Sequence, residues 1–160
     1  MNFLAHLLLT PKDEALLLGN YLADFLKKRH LQQLPDQVIK GIKLHRKIDT
    51  FTDKHPLMLK GARRLYERHH KYAPVLMDVY CDYILAQNWD TYSDLSIIDF
   101  TQSVYQDLEN QIAIIPPPFD KRTINMIQHD WLLSYTTLEG IADTFERMKR
   151  RVSKPEWLDT

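Results

Sequence analysis

The sequence predicts an all-α protein, a single-domain helical bundle. Apolar residues recur three and four positions apart through most of the 160 residues, which is the period of an amphipathic helix. Prolines separate these runs, and the presence of only 4 glycines disfavours a turn-rich β protein. Hydrophobic residues make up 44% of the chain, enough to build a core, and this length fits one domain spanning residues 1–160.

The individual helices follow from these runs in order. A short apolar stripe surrounds His6, and Thr10-Pro11-Lys12-Asp13 is typical of a helix start with proline at the first position. Gly19-Asn20 interrupts the following run, and a glycine there would let another backbone approach closely. The longer helices are predicted over residues 14–28, 38–52, 57–70, 75–89, 96–113, 121–134 and 138–152. The apolar face of the second of these carries Ile39, Ile42, Ile48 and Phe51.

The charge of the chain excludes a generic nucleic-acid binder, because 21 basic and 21 acidic residues leave no positive excess. The two halves nevertheless differ, with +6 over residues 1–80 and −6 over residues 81–160. A single cysteine, Cys81, indicates a reducing compartment. The start lacks the features of a signal peptide, and no apolar run is long enough to span a membrane. We therefore expect a cytoplasmic protein.

Candidate functional residues are polar side chains inside otherwise apolar helical runs. They are His6, Asp24, His45, Asp49, Asp53, Asp78 and Asp82. Two pairs, His45 with Asp49 and Asp78 with Asp82, are four residues apart and so share a helix face. Burying a carboxylate costs several kcal/mol, on the order of 3–5, unless a cation or hydrogen bonds compensate. A divalent cation in the bundle is one explanation, since imidazole and carboxylate ligands suit Mn, Fe, Zn or Mg.

Simpler explanations stay open at this point. The aspartates could pair with neighbouring cations such as Arg46 and Lys47, and Asp78 and Asp82 could be partly exposed and ion-paired. A lone His6 could be a histidine whose hydrogen bonds are satisfied in the core. The basic residues of 63–71 could form a solvated helix face or a docking patch for an acidic partner.

Four ordered sequence blocks lie within the first ninety residues. The first two are Met1-Asn2-Phe3-Leu4-Ala5-His6-Leu7 and Gly19-Asn20-Tyr21-Leu22-Ala23-Asp24-Phe25. The third runs from Gly41 through His45 and Asp49 to Pro56, and the fourth runs from Asp78 through Asp82 to Trp89. Together these blocks resemble the acyl carrier protein phosphodiesterase family, and after the fourth block the chain matches that family only as a helical continuation.

The resemblance implies a helical fold like that of the HD phosphohydrolases and a divalent metal, with manganese as first choice and magnesium or iron as alternatives. The implied reaction removes 4′-phosphopantetheine from a serine of acyl carrier protein. The implied metal ligands are His6, Asp24, His45, Asp49, Asp78 and Asp82. Asp24, His45, Asp49 and Arg46 are the expected catalytic residues. As a mechanistic hypothesis, Arg46 or Lys47 stabilises charge on the phosphoryl oxygens.

The acidic carrier protein fits the basic first half of this chain, and the expected docking residues are Lys43, Lys47, Arg63, Arg64 and Arg68. Two departures from the family are visible: Tyr83 replaces a frequent histidine, and the last helical segment is expected to be shortened, which makes a dimer conceivable. The alternatives are a metal-dependent phosphohydrolase of small phosphodiesters and a catalytically silent helical module that binds an acidic partner.

Overall fold

The computed structural model describes residues 3–159, and within that range it contains helices and turns but no β-strand. The helices are α1 (Phe3–Leu8), α2 (Glu14–Leu22), α3 (Lys28–Leu31), α4 (Asp36–Lys54), α5 (Pro56–His69), α6 (Ala73–Gln87), α7 (Ile97–Asn110), α8 (Phe119–Gln128) and α9 (Leu138–Lys149). Short 3₁₀ turns lie between several of them, including Leu133–Thr136. The all-α prediction is confirmed, whereas the detailed likeness to HD phosphohydrolases and the domain bounds stay predictions.

The packing is arranged around α2 and α4, the two helices in most extensive contact. Helix α1 lies against both α2 and α6, α5 packs on α6, and α7 packs on α2. Helix α9 and the turn before it complete the bundle by packing on α6. One apolar cluster joins these elements from Leu4 to Leu158, with Leu18, Leu76 and Phe145 among its fully buried side chains.

Two glycines explain how closely α2 and α4 approach. A Cβ atom on Gly19 would lie 1.9 Å from the Val38 carbonyl oxygen, and one on Gly41 would lie 2.2 Å from the Leu16 carbonyl oxygen. No side chain fits between the two backbones at this crossing. The prediction that Gly19 allows another backbone to approach closely is therefore confirmed.

Some predicted boundaries and one predicted face are wrong. Helix α2 starts after Asp13, whose carboxylate accepts the Leu16 amide at 2.8 Å, so Pro11 precedes the helix instead of opening it. The run to residue 28 divides into α2 and the short α3, because the chain turns after Leu22. Phe51 is 71% exposed, since it lies on the opposite side of α4 from the buried residues Val38 and Ile42.

No helix in residues 3–159 combines the length and the hydropathy that crossing a bilayer would require. The longest, α4, has a strongly amphipathic sequence with charged residues along its exposed face.

Candidate metal centre

Three helices bring the histidines and two of the aspartates together. Helix α1 supplies His6, α4 supplies His45 and Asp49, and Asp24 follows the end of α2. The glycine contact between α2 and α4 places the end of α2 beside His45. The rings of His6 and His45 stack in parallel, with their centroids 3.9 Å apart and an angle of 11° between their planes.

The carboxylate of Asp49 bridges the Nε2 atoms of the two stacked rings. Its Oδ1 is 3.0 Å from Nε2 of His6, and its Oδ2 is 3.2 Å from Nε2 of His45. Asp24 approaches the same His45 nitrogen, with its Oδ1 at 3.4 Å. Both histidine side chains are buried, whereas Asp24 and Asp49 keep 31% and 43% of their side-chain surface exposed. The cluster, defined here as His6, Asp24, His45 and Asp49, therefore opens to solvent at its acidic side.

The hydrogen bonds of His45 determine which ring nitrogen faces the carboxylates as a potential ligand. Nδ1 of His45 lies 2.9 Å from both the backbone and the side-chain carbonyl oxygens of Asn20. Two acceptors at this nitrogen require it to carry the hydrogen. In the neutral ring, Nε2 then holds a lone pair directed toward two carboxylates, an arrangement that needs either a second proton or a cation between them.

Asn20 is the residue that sequence reasoning missed. Its amide group donates to the His6 carbonyl oxygen at 2.9 Å and to the Thr10 hydroxyl at 2.8 Å, and this orientation turns its own carbonyl oxygen toward His45. The Thr10 hydroxyl donates in turn to the His6 carbonyl oxygen. Asn20 thus joins α1 to α4, and the polar residue within the apolar run of α2 is the signal that could have identified it.

The electrostatics of the cluster favour a positive charge at its centre. Burial opposes ionisation of His45, but its hydrogen bonds with Asp24 and Asp49 outweigh burial and raise its pKa to about 9. Burial also acts on Asp49, yet the hydrogen bonds with His45 and His6 hold the pKa of this carboxyl well below its ordinary range. The pKa of Asp24 is lowered by His45 despite burial. All of these shifts have one cause, an acidic pair facing a ring nitrogen.

The donor set fits a divalent metal ion. One ligand atom each from His6, His45 and Asp49 can be chosen so that all three lie within 4.8 Å of one another. Two imidazoles and a carboxylate suit Mn, Fe or Zn, and a carbonyl behind a ligating histidine is the usual arrangement around such sites. The Asn20 carbonyl oxygens occupy that position behind His45. The expectation of a possible metal site is supported, while the identity of the metal stays a prediction.

Asp82, expected to be a ligand, is used differently in the described structure. Its side chain is fully buried, and its two oxygens accept the backbone amides of Leu4 and Ala5, each at 2.9 Å. Burial raises the pKa of Asp82 to about 7 against the effect of these two hydrogen bonds. Asp82 therefore fixes the start of α1, the helix that carries His6. Asp82 is not part of the His6–His45–Asp49 group among the described residues, so its assignment to the metal stays a prediction.

Asp78 and Asp53 lie together beside the cluster. Both line a cavity of about 190 Å³ between α4, α5 and α6. Burial and then the negative charges of Asp78 and Asp49 raise the pKa of Asp53. Asp78 is not part of the group of three potential ligands in residues 3–159, so its assignment to the metal stays a prediction.

The basic residues expected beside the site are exposed, but they face different directions. Arg63, Arg64 and Arg68 lie on α5. On α4, Lys43 and Lys47 lie on the face opposite Asp49, since Lys47 and Asp49 are two residues apart and a helix turns about 100° per residue. Arg46 is exposed next to His45. In the part of the chain that the structure describes, the cluster is not contacted by any of the five expected docking residues, Lys43, Lys47, Arg63, Arg64 and Arg68.

Comparison with known proteins identifies relatives along nearly the whole chain. A family model described as acyl carrier protein phosphodiesterase matches residues 1–160. A protein of Photorhabdus laumondii with that name is 34% identical over 155 residues, which cover 94% of this chain and 77% of the relative. Proteins of the same name from Yersinia enterocolitica and Serratia proteamaculans are 32% and 33% identical, covering 96% and 94% of this chain and 80% and 79% of theirs. No solved structure matches the chain significantly.

Proposed function

Because the chain belongs to the acyl carrier protein phosphodiesterase family, whose name describes a phosphoric diester hydrolase, we propose that it removes 4′-phosphopantetheine from acyl carrier protein in a metal-dependent reaction. The observation that supports the metal requirement is the cluster itself. Two ring nitrogens face one exposed carboxylate, and the hydrogen bonds of Asn20 keep the His45 lone pair directed at it.

The residues proposed to hold the metal are His6, Asp24, His45 and Asp49. Asp78, on α6, is proposed as a further ligand. Manganese is the expected ion, and magnesium and iron are the alternatives. A divalent cation supplies charge stabilisation to phosphoryl oxygens and lowers the pKa of water. Asn20 contributes by holding the His45 ring through its two carbonyl oxygens. Asn20 and Thr10 also donate to the His6 backbone carbonyl oxygen, which ties α1 to the end of α2.

Hydrolysis adds water to phosphorus and breaks the bond from phosphorus to the serine oxygen. The products are the serine hydroxyl of the carrier protein and free 4′-phosphopantetheine. The carboxylates of Asp24 and Asp49, which His45 keeps ionised, are proposed to accept hydrogen bonds from the attacking water and to relay its proton to the serine oxygen. Their lowered pKa values favour passing this proton on over holding it. The exposed guanidinium of Arg46 is proposed to reach the phosphoryl oxygens from the α4 side.

Docking of the acidic carrier protein is proposed on the exposed cations Lys43, Lys47, Arg63, Arg64 and Arg68. Two further exposed apolar side chains, Phe51 on α4 and Leu57 on α5, would add contact area for the carrier protein. The charge of the first half supports this surface, because a positive patch speeds association with an acidic partner. The cytoplasmic location and the possible dimer stay predictions.

Mass spectrometry of holo-acyl carrier protein tests the proposal. Wild-type protein with Mn²⁺ should remove the phosphopantetheine mass, and a chelator should abolish the loss. His45→Ala should lower the rate by about 10²-fold or more, since both carboxylates lose their partner. The exposed His129→Ala is the matched control and should retain the wild-type rate.

Two results would contradict the proposal. Cleavage of a chromogenic phosphodiester but not of the holo carrier protein would favour the small-substrate phosphohydrolase. Binding of carrier protein without hydrolysis under any metal condition would favour a silent binding module, and such binding should weaken with salt.

A further inference from the structure

A second cavity carries three arginines in a largely apolar wall. It measures about 190 Å³ and lies between α1, α8 and α9. Its lining includes Phe3, Trp131 and Met148 together with Arg122, Arg147 and Arg151. We call it the arginine cavity. Three cations in such a setting repel one another, so their convergence is costly unless an anion compensates them.

Of the three arginines, Arg122 gives the strongest indication that the cavity binds an anion. Its Nε atom is buried and has no hydrogen-bond partner within residues 3–159. Its guanidinium stacks on the Phe25 ring, 4.1 Å from the ring centroid. Burial and then the nearby Arg151 lower the pKa of Arg122 to about 10. A buried donor without an acceptor is costly, and a phosphate oxygen is an acceptor that would satisfy it.

The other two arginines are also without carboxylate partners. Arg147 donates to the Thr144 hydroxyl at 2.7 Å and lies over the Trp131 ring, 5.0 Å from its centroid. Arg151 is exposed at the rim. Among the described residues, no acidic oxygen lies within 4.0 Å of a nitrogen of Arg122, Arg147 or Arg151. Positive charge in this cavity is thus left available for a ligand.

The cavity adjoins the cluster through two consecutive residues. Phe25, on which Arg122 stacks, directly follows Asp24 of the cluster, and the negative charge of Asp24 acts on Arg122. Phe3 lines the cavity and also contacts the Phe25 ring, with their centroids 5.9 Å apart. A ligand whose phosphate lies near Asp24 could therefore extend along Phe3 into the cavity.

We propose that the arginine cavity binds the 4′-phosphopantetheine arm, with Arg122 contacting its phosphate and Phe3, Trp131 and Met148 contacting the methyl and methylene groups of its chain. The assignment rests on the proposed function, which supplies the identity of the arm. The chemistry of the cavity matches this ligand, because guanidinium groups form paired hydrogen bonds with phosphate and the walls offer aromatic and thioether surface. Arg122 is then a binding residue that neither its position in α8 nor its spacing revealed.

Calorimetric titration of the full chain with 4′-phosphopantetheine, pantetheine and inorganic phosphate tests the assignment. We expect the phosphorylated arm to bind more tightly than either fragment, because only it uses both the arginines and the apolar wall. Arg122→Met and Arg151→Ala should each weaken its binding by about tenfold or more. Arg122→Lys, which keeps the charge, should bind better than Arg122→Met. Arg150→Ala, an exposed neighbour outside the cavity, is the matched control and should bind as wild type.

Several outcomes would overturn the assignment. Wild-type affinity in both Arg122→Met and Arg151→Ala would show that the cavity does not hold the phosphate. Equal affinity for pantetheine would remove the role of the arginines, and equal affinity for inorganic phosphate would remove that of the apolar wall. Failure of the proposed function is distinguishable, since protein that leaves holo carrier protein intact but binds the arm through Arg122 contradicts only the hydrolysis.

Discussion

The cluster and the arginine cavity meet at Asp24 and Phe25, yet they handle charge in opposite ways. In the cluster, two carboxylates face buried histidines, so negative charge is in excess and the pKa of His45 rises to about 9. In the cavity, three arginines lack carboxylate partners, and burial lowers the pKa of Arg122 to about 10. One region favours a cation and the other an anion.

The opposite charges of the cluster and the arginine cavity indicate what each region can bind. A metal ion in the cluster would cancel the acidic excess, and a phosphate ester would cancel the basic excess of the cavity. A substrate that carries its phosphate at the boundary and a chain with methyl and methylene groups beyond it uses both regions at once. The two sites therefore complement each other, and variants that affect only one of them can separate binding from hydrolysis.

The largest expected effect comes from Asp49→Asn, which removes the charge between the two histidines. We expect hydrolysis of holo carrier protein to fall by about 10²-fold or more, because the amide cannot take a proton or neutralise a metal ion. Calorimetric affinity of the arginine cavity for 4′-phosphopantetheine should change far less. Asp94→Asn, an exposed aspartate outside both regions, is the control; a comparable loss of rate in that variant would contradict a specific role for Asp49.

Asn20→Ala should have the next largest effect on the cluster alone. Loss of the acceptor behind His45 should weaken Mn²⁺ affinity or activity by about 10- to 100-fold, the usual range for partners of ligating histidines. A metal titration measures the Mn²⁺ affinity, and an activity measurement after it shows the effect on the rate. Asn110→Ala, an exposed amide at the end of α7, should behave as wild type. Unchanged Mn²⁺ affinity in Asn20→Ala would show that the His45 ring is held by other contacts.

The pH dependence of stability tests whether His45 is protonated when no metal is bound. Its folded-state pKa of about 9 lies above the ordinary value of 6.5, so its stabilising contribution is complete below pH 6.5 and is lost as pH rises through about 9. In the presence of a chelator, the free energy of unfolding of the wild-type protein should fall by about 3 kcal/mol between pH 6.5 and about 9, because His45 loses its proton. Urea unfolding should show a smaller loss for His45→Gln and the full loss for His129→Gln. Parallel curves for all three proteins would contradict the prediction.

Gly19→Ala tests the helix contact that assembles the cluster. The added Cβ would lie 1.9 Å from the Val38 carbonyl oxygen, so α2 and α4 must separate, at a cost of about 1–3 kcal/mol. Gly61→Ala is the matched control, because its Cβ would meet only the flexible Met77 side chain. This control should be neutral or stabilised by about 1 kcal/mol through helix propensity. Equal midpoints of urea unfolding for the two variants would contradict the role given to Gly19.

The sequence predicted the fold class and most of the cluster. The helical period of the apolar residues does not depend on the partner that covers them, so helices near 38–52, 57–70 and 75–89 agree with α4, α5 and α6 within a few residues. The spacing of His45 and Asp49 also predicts their relative position, because residues four apart on one helix share a face. The family blocks imply that these two residues act together with His6 and Asp24 as metal ligands.

Only the tertiary structure decided which partners the polar groups find. Asp82 looked like the other aspartates, but its oxygens are used by the amides of α1, a contact across 78 residues of chain that no local spacing encodes. Phe51 fitted an apolar stripe, yet nothing covers that side of α4 among the described residues. The arginine cavity was equally invisible, because Arg122, Arg147 and Arg151 converge only when α8 and α9 pack near α1. Periodicity determines which face is buried, whereas long-range contacts determine what that face meets.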